Sequence, residues 1–176
     1  MKHAAHVAHD RVLAVYPNVP GFGWTLFEGP LSPVEWGVVE IKKNRAELNS
    51  ECLDRFRVII DKFDPCVLLL EQFVGAPSRR SHRIQSLCRS LIQFVDTRGI
   101  DVRVYTRADI ESAFAPAGAK TRRQIAIAIA KHIEAFGHLL PPARKIWLAE
   151  SPRMGLFNAA ALAITYYWQT DVAEWP

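Results

Sequence analysis

A chain of 176 residues is the size of one domain, long enough to bury roughly two-thirds of the surface that its unfolded form exposes. Its 22 Lys and Arg against 18 Asp and Glu leave a net charge of +4, an excess compatible with nucleic acid but too small to demand it. No apolar run approaches the ~20 residues of a membrane span, and the N-terminus lacks a signal-peptide core. Cys52, Cys66 and Cys88 lie inside apolar patterns with no CxxC pair, so they read as reduced core residues of a soluble, cytoplasmic protein.

Residues 1–10 are expected to be a flexible tail, followed by one domain over residues 11–176. His3, His6 and His9 recur every third position; on a helix they could chelate a metal, and in a frayed tail they are incidental. Arg11 to Tyr16 reads as a strand stopped by Pro17 and a turn-rich stretch through Gly23. Trp24 to Phe27 and Val34 to Ile41 make two more strands, and the short connections point to an antiparallel meander. Asn44 with Glu47 resembles a capping box opening a helix whose stripe runs Leu48, Cys52, Phe56, Ile59, Ile60 and Phe63 until Pro65.

Cys66 to Leu70 is a continuous apolar run, which predicts a strand buried on both faces. Glu71 sits at its C-terminal end, where open α/β sheets place their ligands. Residues 83–98 predict an amphipathic helix with Gly99 just beyond its end, and Val102, Val104 and Tyr105 a fifth strand. Thr106 and Asp109 can cap a short helix to Phe114. Thr121 and Gln124 can cap another, carrying Ile125, Ile129, His132, Ile133 and Phe136 to Gly137. Ser151 as N-cap and Pro152 at N1 predict a last helix to about Thr170, with Phe157, Ala160, Ala161, Ile164 and Trp168 on its buried side. The expected architecture is α/β: a five-stranded mixed sheet, three antiparallel strands then parallel ones, with helices on both faces.

This order matches the ribonuclease H-like fold, and four local motifs resemble the RuvC family of Holliday junction resolvases. Val12 to Pro17 followed by Gly21-Phe22-Gly23 is similar to that family's first strand, and Val67 to Phe73 to the strand delivering its second acid. Tyr105 to Ile125 resembles the family's Tyr-x5-Lys-x4-Gly-x-Gly-x3-Lys-x-Gln-Val segment, and Asn158 to Thr165 its last helix. The resemblance implies a junction nuclease in which four carboxylates hold two magnesium ions against a DNA phosphodiester. Here the four positions read Tyr16, Glu71, Gly155 and Asn158, so one carboxylate is retained. Asp10 lies six residues before Tyr16, roughly 20 Å along a straight strand. Glu150 and Glu111 are outside candidates for a replacement ligand, and Glu111 stands where the family usually has a cation. The expectation is a degenerate metal site with no cofactor, magnesium entering only if activity survives.

Arg79, Arg80 and Arg83 crowd the start of the 83–98 helix, where the positive end of the dipole disfavours cations, which points to an anionic partner. Lys120, Arg122 and Arg123 crowd a second helix start, with Arg122 on the family's functional Lys position, and Arg153 opens the last helix. Phe73 begins the loop where the family carries an aromatic near the junction centre, and it reads equally as a stacking or a packing residue. The leading expectation is a protein that binds branched or junction-like DNA without cutting it, as a homodimer. The other readings are a magnesium-dependent nuclease with moved ligands, using Glu71 with Glu150 or Glu111, and a protein-interaction module keeping only the fold and pairing through the 83–98 helix as RuvC-like dimers do.

Overall fold

The structure is a computed structural model that describes residues 11–75 and 80–170. The expectations for His3, His6, His9, Asp10 and Arg79 fall outside the described residues. Three antiparallel strands come first: β1 (Val12–Pro17), β2 (Gly21–Phe27) and β3 (Pro33–Glu40). Helix α1 (Leu48–Phe63) leads to β4 (Val67–Glu71), and α2 (His82–Asp96) leads to β5 (Asp101–Tyr105). Both of these strands run parallel, β4 to β1 and β5 to β4, giving the sheet order β3-β2-β1-β4-β5. Then follow α3 (Arg107–Phe114), α4 (Arg122–His132), the short α5 (Glu134–Gly137) and α6 (Arg153–Gln169).

Alternation along the strands sorts the core into two layers. Leu13, Val15, Leu68 and Leu70 pack with α1 and α2, whereas Val12, Ala14, Val67 and Leu69 pack with α3, α4 and α6. With helices on both faces, β4 carries no polar residue before Glu71 and is buried along its whole length. That meets the expectation of a strand buried on both sides. Among the described residues no helix is long and apolar enough to cross a membrane.

Local capping follows the residues. Thr106 with Asp109 and Thr121 with Gln124 both form reciprocal capping boxes at the starts of α3 and α4. Gly99 takes the left-handed φ of 69° that ends α2. Several details differ from the sequence reading. Gly21 to Gly23, expected in a turn, open β2, and α6 has Pro152, not Ser151, at its N-cap and no side-chain cap. Asn44 Oδ1 accepts from the amides of Ala46 and Glu47, so it caps a turn one step ahead of α1, which begins at Leu48 with no side-chain cap. The helix expected to reach Gly137 breaks at Ile133, whose ψ of 99° is extended. The break lets Phe136 meet Trp36 and Phe157 edge-on at ring distances of 5.0 and 6.0 Å. And Cys66, expected in the core, is exposed with its thiol donating to the Arg11 carbonyl at 3.3 Å, because the strand starts one residue later.

The last helix sets the geometry of everything that follows. It is buried on nearly every side from Met154 to Thr165, not along one stripe, because the sheet lies on one flank and α3 and α4 on the other. Its approach to the sheet is closest at Gly155, which rests on Gly23. A Cβ built on Gly23 would stand 2.1 Å from the Gly155 carbonyl carbon, so neither strand nor helix leaves room for a side chain there.

Candidate functional site

The parallel pairing of β1 and β4 brings the first two acid positions of the resemblance together. Val12, Leu13 and Ala14 pair with Val67, Leu68 and Leu69, and two residues further on Tyr16 and Glu71 lie side by side at the ends of their strands. Tyr16 pairs across to Gly23 on β2, and Gly155 packs on Gly23, with Asn158 one turn along α6. All four positions therefore meet at one edge of the sheet.

What fills that place is an arginine-centred knot. Glu71 is 8% exposed, and Arg122 reaches it as a fork, Nη2 donating to Oε1 at 3.1 Å and Nη1 to Oε2 at 3.5 Å. The same Nη1 donates to the Tyr16 hydroxyl oxygen at 2.7 Å. Arg80 Nη2 lies 3.6 Å from Glu71 Oε2, its guanidinium stacks 4.2 Å over the Tyr16 ring, and its Nη1 donates to the Pro17 carbonyl at 2.9 Å. Burial pushes the Tyr16 hydroxyl above its ordinary value, against the pull of the two guanidiniums, so the phenol stays protonated at neutral pH. Burial works against the Arg122 charge, and the Tyr16 oxygen and Glu71 carboxylate outweigh it, holding the guanidinium above its usual range.

Sequence reasoning missed a third cation here. Arg107, the first residue of α3, has its guanidinium lowered by burial and by Arg122, with Glu71 and Glu111 opposing. It pairs with Glu111 at 3.3 Å, one helical turn on. Its signal was available: a cation in the first turn of a capped helix, the same feature that marked Arg122.

The other expected residues fall into two groups. Arg83 is held inside, donating to Asn49 Oδ1 at 3.0 Å and to the Asn18 carbonyl at 2.7 Å, and burial lowers it. Phe73 is buried in the α1–α2 core layer, so it packs under the loop, and the exposed apolar residue there is Val74. Arg123 donates to the Pro141 carbonyl. Lys120 and Arg153 project into solvent. Glu150 is exposed, lines a cavity with Arg122, and acts electrostatically on both Tyr16 and Arg122. Asn158 is buried, with an Nδ2 that finds no hydrogen-bond partner among the described residues.

No protein-family model matches the sequence, and no curated protein does. Solved structures do. Thermus thermophilus RuvC in complex with a Holliday junction substrate superposes with a TM-score of 0.69 over 92% of this chain and 95% of that one, at 16% identity. The fold is that of RuvC. A second Thermus thermophilus RuvC structure gives 0.65 at 17% identity, covering 91% of this chain and 94% of that one. The yeast mitochondrial Holliday junction resolvase Ydc2 gives 0.66 at 16% identity, covering 93% and 80%. The strand order, the mixed sheet and the helices on both faces agree with the RuvC-like, ribonuclease H-like architecture expected from the four motifs.

Proposed function

We propose that this RuvC-fold protein binds branched or junction-like DNA and has exchanged the two-metal nuclease centre for an arginine-lined phosphate site. The observation that carries the reading is the fork from Arg122 to Glu71, with Arg80 on the second carboxylate oxygen. Two magnesium ions call for several hard, anionic oxygen donors. Here Glu71 is already neutralised, Tyr16 offers a protonated phenol, Gly155 offers nothing, and Asn158 offers an uncharged amide. Among the described residues no three His, Cys, Asp or Glu side chains converge on a point that could hold an ion. These residues do not fit a magnesium pair, and no hydrolytic step runs through one.

They do fit a phosphate. Arg80, Arg107 and Arg122 against Glu71 and Glu111, the latter paired with Arg107, leave one positive charge in excess at the strand ends, and the exposed Lys120 and Arg153 extend that charge outward. The partner is assigned from the structural neighbours, two of which are described as Holliday junction proteins. A homodimer through α2 belongs to the same reading. The outward side of that helix offers Arg89 and Gln93.

The test measures anisotropy and cleavage on a four-way junction and on a linear duplex of the same sequence, at 50 mM salt, with magnesium, with manganese and with chelator. Junction bound in preference to duplex and left uncut in all three is the expected result. Glu71-dependent cutting would establish the alternative, a rearranged nuclease, for which Glu150 beside Arg122 is the favouring observation. Absence of binding to any DNA would leave a protein-interaction module.

A further inference from the structure

A cavity of about 660 Å³ has Arg122, the partner of Glu71, in its lining. Its charged lining is Arg122, Arg123 and Arg144 against Glu150, so it favours an anion. Its apolar lining is Pro141, Pro142, Leu148 and Met154, the last from α6. Two of the guanidiniums also tie the wall together, Arg123 to the Pro141 carbonyl and Arg144 to the Leu148 carbonyl at 3.1 Å. Each keeps other N–H donors for a ligand. The volume falls within the range of small-ligand and nucleotide sites.

A second feature adjoins it in the chain. Ile146, Trp147 and Leu148 are 93%, 78% and 53% exposed, a run of large apolar side chains of which Leu148 also lines the cavity. Soluble proteins leave such runs in water chiefly where something else covers them. The Lys145 ammonium lies 5.6 Å from the Trp147 ring centroid, joining a cation to a flat aromatic face. A flat ring beside guanidiniums and an ammonium is the chemistry that takes a base on its π-face and a phosphate on its charges.

We propose that this cavity and the adjoining Trp147 are a nucleotide subsite, holding one unstacked nucleotide with its phosphate on Arg122 and Arg144 and its base against Pro142, Leu148 and Trp147. The inference rests on the nucleic-acid reading above and adds what that reading lacks, a place for an unpaired residue beside the arginine knot. Because Arg122 forms one wall of the cavity and also holds Glu71, the strand reaching the subsite passes the phosphate site on its way. An unpaired nucleotide of a branched strand and a free nucleoside monophosphate present the same chemistry, and they are separated by measurement.

The experiment uses the full chain with three probes: a fully paired four-way junction, the same junction carrying a short unpaired segment at the branch, and free dTMP. Wild type is compared with Trp147→Ala and Arg144→Ala, both in an exposed loop, with circular dichroism melts to verify folding. The expected result is a preference of about tenfold for the unpaired probe over the paired one, lost in both variants while paired-junction affinity holds. Equal affinity of wild type and both variants for the unpaired probe would overturn the proposal. If dTMP binds in a Trp147- and Arg144-dependent way while neither junction binds, the subsite stands with a free nucleotide as its source and the junction reading fails. If no probe binds, both fail.

Discussion

Replacing Glu71 by Gln tests whether this side chain is a counter-ion or a metal ligand, because the two roles predict stability changes of opposite sign. Glu71 is 8% exposed and lies within 3.6 Å of two guanidiniums. Gln keeps the shape and one acceptor oxygen, so the substitution removes the charge and strands Arg80 and Arg122 beside each other. Removing one partner of a buried pair costs about 3–5 kcal/mol. The Arg122 side chain is 34% exposed, so water reaches part of the stranded charge and the lower end applies, about 3 kcal/mol. In a domain of this size that is a fall in Tm of about 6–12 °C. Asp61→Asn is the control: its pair with Arg98, 2.9 Å long but about half exposed on both sides, is worth roughly 0–1 kcal/mol. In a cluster of ligating carboxylates the same Glu→Gln change relieves repulsion and leaves Tm level or higher. Differential scanning calorimetry of both variants decides. A Glu71→Gln protein melting within about 2 °C of wild type, or above it, would refute the counter-ion assignment.

Four further outcomes follow from particular contacts. Gly23→Ala sets a Cβ against the Gly155 backbone at 2.1 Å, and denaturant titration should show a loss at or above about 3 kcal/mol, whereas Gly137→Ala, whose nearest atom would be 3.7 Å away, should stay within about 0.5 kcal/mol. Burial raises the Cys88 thiol from 9.0 to about 11, so the folded protein holds that proton more tightly than the unfolded chain. The associated stability is complete below pH 9 and is lost as pH rises toward 11, and urea melts across that window should flatten in Cys88→Ala. A thiol reagent should modify Cys66 rapidly and leave the buried Cys52 and Cys88 untouched in the native protein. Lys120→Ala and Arg153→Ala should each lower the slope of log affinity against log salt by about one, and chelator should leave wild-type DNA affinity unchanged.

How much of this could be read from the chain depends on how local each signal is. The capping boxes at Thr106 and Thr121 involve residues three apart, and both formed as expected. The apolar run before Glu71 announced a strand covered on both faces, and the sheet supplied the covers. The break at Ile133 left no trace, because Phe136 keeps the helical spacing on either side of it and is pulled aside by Trp36 on a distant strand. The burial of α6 on all flanks did leave a trace that the stripe analysis passed over: Met154 to Trp168 contains no charged residue, which marks a helix with no solvent face. The convergence of Tyr16, Glu71, Gly155 and Asn158 was legible through the resemblance. The knot that fills it was not. Arg122 lies 51 residues from Glu71 and 106 from Tyr16, and a side chain with so many rotamers does not declare its partner in sequence.

The knot also explains why cations are tolerated where helix dipoles oppose them. Arg107 opens α3 and Arg122 and Arg123 open α4, each at the positive end of a helix that would prefer an anion. Glu71 supplies that anion for Arg122, Glu111 for Arg107, and the Pro141 carbonyl takes Arg123. One carboxylate at the end of β4 therefore does for the arginines what a metal pair does for a carboxylate cluster: it lets like charges be gathered at one sheet edge without driving it apart. The difference lies in the sign left over. A cluster of carboxylates repels a phosphodiester until divalent cations arrive, whereas Arg80, Arg107 and Arg122 against Glu71 and Glu111 keep one positive charge in excess as they stand. At the positions where the resemblance places acids, Tyr16, Gly155 and Asn158 carry no negative charge, and Glu71 is the carboxylate that holds Arg80 and Arg122 together.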